Sequence, residues 1–174
     1  MPLIALTGGP GAGKTTVLTA LRERGYECVP DSARAIIQER IRQGFSPRPP
    51  AREFAYQILR RDTEQYRVKV GVAGSVFFDR CVVDALAMFD QLGSASAIEA
   101  QALLAEYPYF RIAFIFPPWE GIYTTDAERD QTFEEAVAAH DAAAAWYRWC
   151  GHDLVEVPRG TVQERCDFIL QRAA

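Results

Sequence analysis

The run GGPGAGKTT, Gly8–Thr16, constrains this chain more than any other stretch. It contains G-x-x-x-x-G-K-[ST], with Gly8, Gly13, Lys14 and Thr15 at the fixed positions. Glycines at such positions let backbone N–H groups turn inward with no Cβ in the way. Those N–H groups and the start of the following helix make an anion site. The apolar run PLIALT precedes the loop and VLTALRERG follows it, so a strand enters and a helix leaves. In that setting Lys14 reaches the β/γ-phosphates of a nucleotide and Thr15 puts its hydroxyl on Mg²⁺. Gly9, Gly11, Ala12 and Thr16 complete the cradle. ATP and Mg²⁺ are the expected cofactors. No guanine-reading N/T-K-x-D motif occurs in the chain.

The pattern after the loop is an alternation of strands and helices. Strands are expected at Leu3–Thr7, Tyr26–Pro30, Ser75–Asp79, Arg111–Phe116 and Leu154–Val157. Helices are expected at Lys14–Arg24, Ser32–Gln43, Ala51 to about Val72, Val83–Leu92, Ala97–Tyr107, Thr132–Cys150 and Thr161–Arg172. In the second of these, Ala33, Ile36, Ile37 and Ile41 form the apolar side. FSPRPP, Phe45–Pro50, breaks the chain. Such alternation implies an α/β fold: a five-stranded parallel sheet with helices on both faces, in three layers. Ligands of such sheets bind beyond the carboxyl ends of the strands. The residues to watch are therefore Gly8–Thr16, Asp31, Asp79–Arg80, Pro117–Trp119 and Pro158–Arg159.

Composition narrows the class. At 174 residues the chain fits one domain, residues 1–174, with a substantial core. No apolar run approaches the roughly 18–20 residues of a membrane span, and no signal peptide is expected. Cys28, Cys81, Cys150 and Cys166 are scattered, against both a zinc site and a disulfide framework. A reducing cytoplasm fits them best. The net charge of −4 argues against a nucleic-acid partner, although RRDTEQYRVK is locally basic. Oligomeric state is not legible.

Beyond the loop, three segments carry a family resemblance: PDSAR (Pro30–Arg34), VFFDR (Val76–Arg80) and PPWEGIYTTDAERDQTF (Pro117–Phe133), with DLVEV after the next helix. Together with the loop they resemble the P-loop NTPase superfamily, and within it the AAA-type ATPase or nicotinamide-riboside-kinase-like group of small-molecule kinases. The likeness covers nearly the whole chain. It implies the strand order 2-3-1-4-5, a lid at about 117–132 and acceptor-binding helices at about 32–72.

The resemblance gives the strand-end residues roles. Asp79 would hold Mg²⁺ through water, with Thr15 as the other metal residue. Arg80 would meet the acceptor or the transferring phosphoryl group, and the alternative is a surface ion pair. In a 2-3-1 order the strand ends read across as loop, Asp79, Asp31. Asp31 would then take the proton of an attacking hydroxyl. It also sits where a helix N-cap belongs, before SARAIIQER, and the sequence leaves both roles open. Arg34 falls beside it. In the lid, Arg129 would close onto the phosphates, with Asp126 nearby. Arg159 would border the adenine. Phe54, Gln57, Ile58 and Arg61 share one helical side and form either a ligand wall or a half-buried helix face. His140, Trp146 and Trp149 read as packing residues. Lys14, Asp31, Arg80 and Arg129 are thus the expected catalytic set.

The function expected is transfer of the γ-phosphoryl of Mg·ATP to a hydroxyl of a small molecule, with a nucleoside- or nucleotide-like acceptor favoured. Two alternatives use the same loop. One is an ATPase or nucleotide-sensing module that acts on a partner protein. The other, disfavoured by the acidic balance, is a polynucleotide 5′-hydroxyl kinase.

Overall fold

LIALTG and IAFIF have no polar face to turn to water, so both must lie inside a sheet covered on both sides. The computed structural model, which describes residues 2–94, 97–124 and 131–173, places them there. Strand β1 (Leu3–Gly8) is buried along its whole length and β4 (Ile112–Phe116) nearly so. β3 (Val76–Asp79) is buried throughout as well. The edges are β2 (Glu27–Val29) and β5 (Asp153–Glu156), which carry the exposed residues. The order is β2-β3-β1-β4-β5, all parallel, as the resemblance implies. Leu6 lies beside Asp79 and Gly8 beside Phe116, so the carboxyl ends of the central strands open on one rim.

Helices cover both faces. α1 (Lys14–Glu23) and α7 (Val162–Ala173) pack on one side, where Ile4, Leu6, Val17, Leu21, Phe77 and Ile169 form a core. On the other side lie α3 (Ala51–Lys69), α4 (Val82–Gln91), α5 (Ala97–Glu106) and α6 (Phe133–Trp149). There Leu3, Val76, Phe78, Val82 and Leu86 join Tyr66 and Tyr107. Alternate residues of β1 and β3 therefore serve opposite cores, as the period of a strand requires. Truncating Phe77 or Phe78 to alanine would cost about 3–5 kcal/mol. α2 (Ser32–Arg42) packs its Ile36 and Ile37 on Phe54 and Ile58 of α3.

The expected elements all form, with ends shifted by up to three residues. α3 stops at Lys69, because Gly71 and Gly74 then take left-handed backbone. Ile41, grouped with the apolar side of α2, is exposed in the helix's last turn and outside the cluster that Ile36 and Ile37 join. A short 3₁₀ turn, Glu120–Ile122, follows β4 where the sequence suggests only a strand end. Among the described residues no helix is long and apolar enough to cross a membrane.

Candidate active site

The glycine-rich loop is gripped from two sides. A Cβ on Gly9 would lie 2.2 Å from the carbonyl oxygen of Ala136 in α6. Gly13, at φ 84°, is the left-handed N-cap of α1. Neither position tolerates a side chain without moving the loop. Lys14 is buried, and its ammonium donates to the carbonyls of Gly9 at 2.8 Å and Gly8 at 3.1 Å. Burial lowers its pKa to about 8, and Arg80 adds to the effect, while Asp79, Asp31 and Asp84 oppose it. The cation is thus held over the loop with two neutral acceptors in its reach.

Asp79 ends β3 beside the loop and is almost fully buried. Its Oδ2 accepts from the Thr15 hydroxyl at 2.9 Å. Its Oδ1 is buried with no hydrogen-bond partner. Burial pushes the carboxyl pKa up, with Asp31 adding to it and Lys14 and Arg80 opposing. An orphaned carboxylate oxygen next to a loop hydroxyl suits a hard cation with oxygen ligands. The residues present therefore fit Mg²⁺.

Arg80 occupies a left-handed backbone, φ 68°, the one non-glycine positive φ among the described residues. Such a conformation costs on the order of 1–3 kcal/mol and persists where surroundings enforce it. Here the Arg80 N–H donates to Leu6 O at 2.8 Å. The turn aims the guanidinium between two carboxylates: Nε lies 3.4 Å from Asp31 Oδ2, and Nη1 3.4 Å from Asp84 Oδ1. Of the two roles open to Asp31, the structure shows the helix cap. Oδ1 caps α2, accepting from Ala33 N at 2.8 Å and Arg34 N at 3.4 Å. Oδ2 faces Arg80.

Asp84 is a buried hub that the sequence did not single out. Its Oδ1 accepts from the Thr7 hydroxyl at 2.6 Å. Its Oδ2 accepts from the Tyr147 hydroxyl at 2.6 Å and from Cys81 N at 3.0 Å. The available signal was its spacing, four residues past Arg80 in the first turn of the next helix.

These groups border one cavity of about 970 Å³ that runs from the loop to α2, α3 and α4. Its far wall is apolar, with Ile37, Phe54, Ile58, Ala85 and Met88. The expected α3 side divides here. Phe54 and Ile58 line the cavity, whereas Gln57 is bound to Glu53 and Arg61 forks onto Glu39 at 2.6 and 3.0 Å. One turn beyond Ile58 lies Asp62, buried and also lining the cavity. Its Oδ1 accepts from the Ser32 hydroxyl at 2.5 Å, and its Oδ2 has no partner. Burial raises its pKa to about 8. The sequence around it, RRDTEQ, looks like a solvated charged edge.

At the other end, Arg159 donates to Pro118 O at 2.9 Å and ties the β5 loop to the β4 loop; it does not line the cavity. At this end the cavity is lined instead by Arg165, unexpected from the sequence and buried in α7. Its Nη1 donates to Ala12 O at 3.2 Å, and its guanidinium lies near the rings of Phe116 and Trp119. Asp126 and Arg129 lie outside the described residues. Of the expected lid, Tyr123 lies against Gly11 and donates to Gln131 O at 2.5 Å. His140 pairs with Asp141, and the Trp146 indole donates to Asp90, both away from the carboxylates of the cavity.

A parallel sheet in this order, with a glycine-rich loop between β1 and α1 and a carboxylate at the end of β3, defines the P-loop NTPase/kinase fold. The chain matches the family model described as AAA domain over residues 3–165 and belongs to that family. No curated protein matches its sequence. Solved structures share the fold. Deoxyadenosine kinase from M. mycoides with bound dATP superposes with a TM-score of 0.66 at 13% identity, covering 98% of each chain. The same enzyme with dCTP gives 0.64 at 14%, covering 98% of this chain and 97% of that one. Shikimate kinase from Acinetobacter baumannii in complex with shikimate gives 0.60 at 19%, covering 99% and 93%. At these identities the likeness is one of fold.

Proposed function

We propose that this protein transfers the γ-phosphoryl group of Mg·ATP to a hydroxyl of a nucleoside- or nucleotide-like small molecule. The observation that carries the reading is Asp31 Oδ2, turned toward Arg80 at 3.4 Å in the same cavity as the phosphate loop. An enzyme that only hydrolysed ATP would need no large apolar chamber beyond that carboxylate. The fold relatives named deoxyadenosine kinase and shikimate kinase support the class.

In this mechanism the loop amides and Lys14 hold the β- and γ-phosphates. Thr15, and Asp79 through water, would hold Mg²⁺, which would supply charge neutralisation at those phosphates. Asp31 Oδ2 takes the proton of the acceptor hydroxyl. The hydroxyl oxygen forms its bond to the γ-phosphorus as the bond to the β–γ bridging oxygen breaks, and ADP leaves with that electron pair. Arg80, fixed between Asp31 and Asp84, meets the charge that develops on the transferring group. Residues 32–72 receive the acceptor, and Arg129 is assigned to the phosphates on the family resemblance alone. Residues 1–174 act as one domain, in the cytoplasm.

The test is incubation with Mg·ATP and a panel of nucleosides, nucleotides, vitamins and sugars, with products read by mass. A phosphorylated acceptor supports the proposal. Inorganic phosphate alone, released faster with a protein partner, would replace it with the ATPase reading.

A further inference from the structure

The acceptor end of the cavity holds one group that phosphoryl transfer does not use. Asp62 projects from α3, is 6% exposed, and lies on the same helical side as Phe54 and Ile58. Ser32 occupies one carboxyl oxygen, and the other is buried without a partner. A buried polar atom left unpaired costs free energy, which a ligand supplying the missing bond would recover. We propose that Asp62 determines acceptor specificity: its Oδ2 bonds a polar ring edge of an uncharged heterocycle whose flat face lies against Phe54 and Met88. This deepens the kinase reading and rests on it.

The chemistry around Asp62 decides what the heterocycle must offer. From α2 it meets Ser32 and its neighbour Asp31, with Arg34 on the same cavity. From α4 the charge of Asp84 acts on it, from the end of β3 that of Arg80, and from the segment before α3 Arg48 borders the chamber. Burial is the largest influence on its pKa, and the two aspartates act in the same direction against Ser32 and Arg80. With a pKa of about 8 the carboxyl is mostly protonated at neutral pH. Ser32 already donates to Oδ1, so the proton sits on Oδ2 and is given to a lone pair. A ring nitrogen or carbonyl of a nucleobase has that lone pair. A cationic amine does not, and would instead demand the ionised form.

The experiment is calorimetric titration of the common deoxynucleosides, without ATP, into the wild-type chain, Asp62→Asn and Asp62→Ala. Binding of ATP alone checks that each variant is folded. Asparagine keeps a neutral donor, so Asp62→Asn is expected within about threefold of wild type and Asp62→Ala about tenfold or more weaker. Wild-type affinity falls from about pH 6.5 to about pH 9.5, and Asp62→Asn affinity stays flat. Equal binding by Asp62→Ala, whatever its melting temperature, overturns the proposal. So does an Asp62→Asn variant as weak as alanine, the mark of an ionised carboxylate gripping a cation. Binding to wild type with no phosphorylated product removes the kinase reading and leaves Asp62 its role. No binding of any nucleoside while ATP still binds overturns the role of Asp62.

Discussion

Arg80 and Asp31 face each other across 3.4 Å, Nε to Oδ2, from the ends of neighbouring strands β3 and β2. The two oxygens of Asp31 have different partners. Oδ1 caps α2 and Oδ2 faces the cavity. Asparagine caps a helix as well as aspartate does. Asp31→Asn is therefore expected to melt within about 0.5 kcal/mol of wild type yet lose about 10²–10⁴ in turnover. Thermal denaturation alongside steady-state kinetics checks both halves. A large loss of stability with turnover retained would make Asp31 a cap and nothing more.

Lys14 predicts proton uptake on ATP binding. Its folded pKa of about 8 lies below the ordinary 10.5, so folding disfavours the ammonium. That penalty is fully present below about pH 8 and is relieved as pH rises toward 10.5. Phosphates beside the ammonium favour its charged form. Calorimetry near pH 9 in buffers of different ionisation heat should show roughly half a proton or more taken up. Lys14→Met should abolish the uptake and weaken binding.

As the proposed Mg²⁺ residue, Asp79 would trade stability for metal binding. Its carboxyl is buried with Oδ1 unpartnered, and burial raises its pKa. Asp79→Asn removes the buried charge and should raise stability by about 1–3 kcal/mol at neutral pH. The gain is smallest below the ordinary carboxyl value of 3.8, where the wild-type group is neutral in both states, and grows as pH rises through it. Turnover should fall by about 10² or more, with a higher Mg²⁺ requirement. Melting curves across pH and a Mg²⁺ titration of activity check this.

Gly9→Ala tests the grip of α6 on the loop. The new methyl would sit 2.2 Å from Ala136 O, backbone that cannot turn aside. A loss of about 2 kcal/mol or more in denaturant unfolding is expected, with weaker ATP binding.

The fold was legible because its signals are local. Fully covered strands must be apolar runs, and LIALTG, VFFD and IAFIF are. Gly13, Lys14 and Thr15 act within a few residues of one another, and Asp79 and Arg80 stand at a strand end. The rest of the site depends on long closures. Asp84 is recognised as a hub only when Thr7 and Tyr147, 77 and 63 residues away, reach it. Arg165 meets Ala12 across 153 residues, and Asp62 meets Ser32 across 30. Each looks like an ordinary charged helix residue until α7 docks on α1 and α3 on α2. Arg159 fits a strand-end rule, yet it donates to the Pro118 carbonyl.

The central claim is transfer to a hydroxyl in the chamber beyond Asp31. The most direct measurement uses ATP labelled in its γ-phosphoryl group, with Mg²⁺ and a nucleoside panel, and follows the label. Label on an acceptor hydroxyl is expected with the wild-type chain, and labelling about 10²–10⁴-fold slower with Asp31→Asn. Label appearing only as inorganic phosphate, at the same rate with every acceptor and in both proteins, would contradict it.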